Sequence, residues 1–82
     1  MFLKPNLSIQ SFMKFITYSK HAEERRGERG YKPEEIEEVI LHPAHKKKRY
    51  DEKIEVTKIF KNKKILVVYE EKENYIRVVT II

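Results

Sequence analysis

The chain has 82 residues, 40% hydrophobic and 38% charged, and 18 Lys and Arg against 13 acidic residues leave it at +5. That length fits one domain with a small core. With no cysteine there is no disulfide framework and no thiolate metal site. No apolar run approaches the roughly 20 residues of a membrane span, and the first residues lack a signal-peptide pattern, so a cytoplasmic protein without a membrane partner is expected. The charges are mostly Lys, Glu and Arg with one Asp, Asp51, a bias of heat-adapted proteins. A basic balance suits a polyanion or an acidic protein partner and does not choose between them.

Residues 1–14 read as an extension to a single domain over 15–82. Ser8 is placed to cap a short helix carrying Ile9, Phe12 and Met13. The extension is expected either to dock those side chains on the domain or on a second copy, as in a homodimer, or to lack order. Phe15–Tyr18 is β-branched and aromatic, a short strand. Ser19 is an N-cap, and the helix that follows runs to Gly30, whose freedom at positive φ suits the C′ position. Ala22 is the only apolar residue between Ser19 and Gly30. His21, Arg25 and Arg29 form instead a polar row at i, i+4 and i+8. Such a row is either a surface for chemistry or anion binding, or a solvated charged face.

A second helix starts at Pro33 in the N1 position, with Glu34 and Glu35 in its first turn. Tyr31 and Ile36 have the spacing of a hydrophobic staple, and Ile36, Val39, Ile40 and Leu41 make the apolar stripe. Pro43 ends it at His42. Ala44–Tyr50 (AHKKKRY) reads as a basic connector. Three strands are then expected. Lys53–Phe60 places Ile54, Val56 and Phe60 on one face, with Lys58 interrupting the pattern. Lys61-Asn62-Lys63 is a hairpin loop, and Ile65–Tyr69 is a central strand. Glu71–Asn74 is a turn before Tyr75–Ile82, in which Ile76, Val78, Thr80 and Ile82 should share one face. The expected fold class is α+β: two N-terminal helices on one face of a mainly antiparallel three- to four-stranded sheet.

These residues carry a resemblance. Ser19-x-His21-Ala22-x-x-Arg25, then Glu28-Arg29-Gly30, Pro33-Glu34-Glu35-Ile36 and the closing Pro43 are similar to a family of small prokaryotic domains with an S-x-H-A-x-x-R start. That family is grouped with RelE-like toxins, and Ile65–Tyr69 and Ile76–Thr80 match its closing strands. BrnT toxins share the layout. The resemblance spans roughly residues 15–82. It implies a RelE-like (barnase–EndoU–colicin–RelE) fold, metal-independent endoribonuclease activity, RNA or the ribosome as target, and an acidic antitoxin as partner. The chain departs from the family at Arg26, where an apolar residue is common.

RNA cleavage without metal needs a base for the ribose 2′-OH, an acid for the leaving oxygen, and cations at the phosphate. His21 suits proton transfer, and Arg25 suits the phosphate with its paired donors. Thr80 is the third catalytic candidate, by the resemblance. Arg29, Arg77 and the run Lys46, Lys47, Lys48, Arg49 are the nucleic-acid-binding candidates. Each has a structural counterpart: His21 bonded to strand backbone, Arg25 paired with Glu, Arg77 in a cross-strand ion pair, Thr80 an ordinary strand residue, and the Lys run an exposed loop. His42-x-x-His45 straddles Pro43, so no metal and no cofactor are expected. The alternative to a nuclease is a non-catalytic basic module for nucleic acid or an acidic partner.

Overall fold

The structure, a computed structural model, describes residues 15–82, and the helix expected after Ser8 lies outside them. Strand β1 (Phe15–Tyr18) leads into helix α1 (Lys20–Arg29) and helix α2 (Pro33–Leu41). Four strands follow: β2 (His45–Lys48), β3 (Ile54–Phe60), β4 (Lys63–Glu71) and β5 (Tyr75–Ile81). They form one sheet in the order β1-β5-β4-β3-β2.

This corrects the expected three or four mainly antiparallel strands in two ways. First, β1 lies parallel to β5, with Ile16 opposite Ile76 and Tyr18 opposite Val78, so the sheet is mixed. Apolar periodicity assigns side chains to faces and carries no information on the direction of a pair so distant in sequence. Second, the segment read as a connector contains β2, paired antiparallel with β3 from His45 opposite Thr57 to Lys48 opposite Ile54. All four β2 residues are exposed. An edge strand needs no apolar face, and lysines there discourage sheets from joining.

The helices are held by the expected end signals. Ser19 Oγ accepts from Ala22 N–H at 3.0 Å. At the other end Gly30 sits at φ +73°. Gly30 N–H donates to Gly27 C=O and Tyr31 N–H to Arg26 C=O, a Schellman closure. Glu35 accepts from Lys32 N–H at 3.0 Å ahead of Pro33. Tyr31 and Ile36 are both buried in the core, as a staple requires.

Ala22 of α1 and Ile36, Val39 and Ile40 of α2 pack with Val56, Ile65, Val67, Tyr69, Ile76, Val78 and Ile81 of the sheet. Each large aliphatic side chain buried there contributes about 1.5–3 kcal/mol. Lys58 keeps its place on this face because its Nζ meets Glu38 of α2 at 2.7 Å. The β3–β4 hairpin turns on Lys61 and Asn62, at φ 54° and 68°. Two consecutive left-handed residues are the geometry that matches strand twist in a two-residue hairpin.

The face assignment within β5 is also corrected. Val68 opposes Thr80 while Tyr69 opposes Val78, so Val79 is an extra residue. This β-bulge inverts the alternation beyond it. Ile81 becomes fully buried, Ile82 is 54% exposed, and Thr80 stands with Val68 on the side away from the helices.

Candidate functional site: the polar row of helix α1

One side of α1 is spent on holding the helix. Ser19 donates from Oγ to the Val79 carbonyl at 2.8 Å, and its N–H bonds to Val78 C=O at 2.9 Å. Ala22 is fully buried. Arg26, the departure from the family pattern, is a structural residue. Its Nη1 donates to Tyr31 C=O at 2.8 Å. Its Nε and Nη2 fork onto Glu23 at 3.2 and 2.7 Å. That fork holds the Glu23 carboxyl below its ordinary value. The Arg26 guanidinium lies 5.8 Å from the centre of the Tyr18 ring, a cation–π contact. A guanidinium over an aromatic face thus takes the position an apolar side chain would fill.

The flank of the helix next to these residues carries the row. His21 and Arg29 are exposed and Arg25 is half-buried. Among the described residues His21 and Arg29 have no hydrogen-bond or ion-pair partner; Arg25 has one loose contact, 3.9 Å to Glu28. His21 is therefore not tied to strand backbone. Two donors without a partner among the described residues and one loosely paired donor thus project from one helix.

Thr80 and the row lie on different sides of the sheet. What links them is the Ser19–Val79 hydrogen bond, which fastens the start of α1 to the residue beside Thr80. Arg77 sits opposite Glu70 and meets it at 3.8 Å, the cross-strand ion pair. Glu70 also meets Lys53 at 3.6 Å and Lys72 at 3.7 Å. This meeting point was not legible, since only the pairing of strands brings Lys53 and Arg77 to Glu70. Arg49 meets Asp51 at 3.5 Å and Lys48 meets Glu52 at 3.4 Å. Of the basic run, Lys46 and Lys47 have no ion-pair partner among the described residues, and both project from the exposed edge strand. A cleft of about 480 Å³ between Lys48, Glu52, Ile54 and Glu70 is lined by both charges and lies among these paired groups. Among the described residues no group of three or more His, Asp or Glu is placed to hold a metal ion. None of their helices is long and apolar enough to cross a membrane.

The class defined by this architecture is a two-layer α+β domain, with both helices on one face of a five-stranded mixed sheet. The model of a family described as a domain of unknown function (DUF4258) matches residues 18–82, and the chain belongs to that family. No curated protein and no solved structure matches the chain.

Proposed function

We propose that this domain acts on RNA as a RelE-like, toxin-type module, with the His21–Arg25–Arg29 row as its phosphate-facing surface. One observation carries the reading: Ser19, Ala22 and Arg26 fasten α1, while the His21 row is left outside with a single loose ion pair. In the reaction His21 takes the proton of a ribose 2′-OH as that oxygen attacks phosphorus. The P–O5′ bond breaks, and the 5′-oxygen takes a proton from solvent. Arg25 meets the charge growing on the phosphate, and Arg29 holds the strand beside it. Thr80, on the far side of the sheet, lies next to Val79, whose carbonyl accepts from Ser19 at the start of α1.

The test is cleavage of labelled RNA by the purified protein. His21→Ala should slow it about 100-fold or more, and Arg25→Ala by about 100-fold. RNA left intact by wild type would overturn the nuclease, and cleavage that survives both changes would overturn the row as its site.

A second reading is supported by the unpaired Lys46 and Lys47 on the β2 edge: a non-catalytic basic module for nucleic acid or an acidic antitoxin-like protein. Here wild type leaves RNA intact. RNA binding that falls steeply between 50 and 200 mM salt then selects nucleic acid, and affinity only for an acidic protein selects the other partner.

A further inference from the structure

Strand β2 ends the sheet, and its outer side carries backbone groups as well as charge. Arg49 N–H donates to Lys53 C=O at 2.7 Å and continues the register in which Lys48 stands opposite Ile54. Bonded and non-bonded pairs alternate along an antiparallel ladder. His45 and Lys47 therefore turn their backbone groups toward β3. Lys46 and Lys48 turn theirs outward, where no strand lies among the described residues. The side chains alternate as well. Lys46 opposes Val56 of the core and so stands on the helix side, while Lys47 stands on the opposite side of the sheet. All four residues of β2 are exposed, and neither Lys46 nor Lys47 has an ion-pair partner among the described residues.

We propose that β2 docks an extended acidic segment of a protein partner, which adds to the sheet as a sixth strand. The backbone of the segment meets the outward N–H and C=O groups of Lys46 and Lys48, and its Asp or Glu side chains meet Lys46 on one face and Lys47 on the other. Charge selects the sign of the partner. A second copy of β2 would set lysine against lysine, and like charges directly opposite destabilise a pair of strands. Acidic residues in the same places turn that repulsion into attraction. Geometry selects the kind of partner. Lys46 and Lys47 lie on opposite faces, and a strand laid alongside sends successive side chains to both. A nucleic-acid backbone running over one face meets only one of the two. This inference rests on the acidic-partner reading above and deepens it; it is independent of whether the domain cleaves RNA.

The probe is a synthetic capped peptide of about eight residues, with glutamates at its centre and valine and threonine at its ends. Added to the full-length protein at saturation, it should slow amide exchange at Lys46 and Lys48 about tenfold or more, read by NMR. The same peptide N-methylated at every glutamate keeps its charge and loses the donors there, and should bind at least about tenfold more weakly. The double variant Lys46→Glu, Lys47→Glu should lose peptide binding with its fold intact by circular dichroism. Absence of peptide binding to wild type would overturn the acidic partner together with this inference. Binding without slowed exchange at Lys46 and Lys48, or equal affinity for the N-methylated peptide, would overturn strand addition alone and leave the acidic-partner reading standing. A larger loss of RNA binding than of peptide binding in the double variant would also overturn it and make nucleic acid the occupant of this edge.

Discussion

Tyr18 shows how a single side chain can be required in one part and expendable in another. Its ring supports Arg26, but its hydroxyl is buried with no hydrogen-bond partner among the described residues. Burial first, then the negative charge of Glu37, pushes its pKa up to about 12. A raised tyrosine pKa means that the neutral form is favoured in the folded protein. Its contribution is complete below the unfolded value of 10.0 and is lost as pH rises through about 12. Tyr18→Phe keeps the ring and removes the orphan hydroxyl. It should leave stability at neutral pH unchanged or higher by about 1 kcal/mol, and flatten the fall between pH 10 and 12. Denaturant titrations at pH 7, 10 and 11.5 measure both. A steep alkaline loss in the variant equal to that of wild type would place the titrating group elsewhere. Ser19 was legible as an N-cap, while the sequence left open whether His21 stood free or bonded to strand backbone. The bond from Ser19 to Val79 was not legible, because it joins positions 60 residues apart.

At the level of elements, the two glycines of α1 differ in kind. Gly27 lies inside the helix, and a Cβ added there meets nothing within 4 Å. Gly27→Ala should therefore stabilise the domain by about 0.5–1 kcal/mol, by removing chain entropy from the unfolded state. Gly30 also has open space around it, yet its φ of +73° strains any side chain. Gly30→Ala should cost about 1 kcal/mol. Thermal unfolding of the two variants should thus move in opposite directions, and a shift of the same sign would show that the caps are not what sets the helix. The helices were readable because their signals are local: a cap, a proline, a left-handed stop, a stripe. The lysine-rich β2 was not, because strand formation at an edge depends on the neighbour that pairs with it. The bulge at Val79 was hidden for a similar reason. An extra residue shows only against a partner strand, and it moved Thr80, Ile81 and Ile82 to faces opposite to those expected.

For the molecule as a whole, the helix layer and sheet are joined by an apolar core with ion pairs at its margin, Lys58 to Glu38 and Lys61 to Glu35. The hydrogen bond from Lys58 holds the Glu38 carboxyl below its ordinary 4.5. A depressed carboxyl contributes stability above its unfolded pKa, and that contribution is lost as pH falls through the lower folded value. Wild type should therefore lose stability on acidification below about pH 4.5. Lys58→Met, which keeps an unbranched stem on the core face, should show a shallower acid limb. Urea midpoints from pH 7 to pH 3 for both proteins test this, and parallel curves would remove the pair from the acid response.

The sequence by itself determined the helices, their ends, the apolar stripe of α2, the β3–β4 hairpin and the polar row on α1, since each rests on residues within a few positions of one another. Only the tertiary structure decided that β1 runs parallel to β5, that β2 exists, and which face Thr80 occupies. It also decided that Arg77 and Arg49 are occupied by carboxylates while His21 has no such partner among the described residues. The physical reason is common to these cases. Pairing direction, register and ion-pair occupancy depend on chain segments brought together across the fold, and a local pattern carries no record of its distant partner.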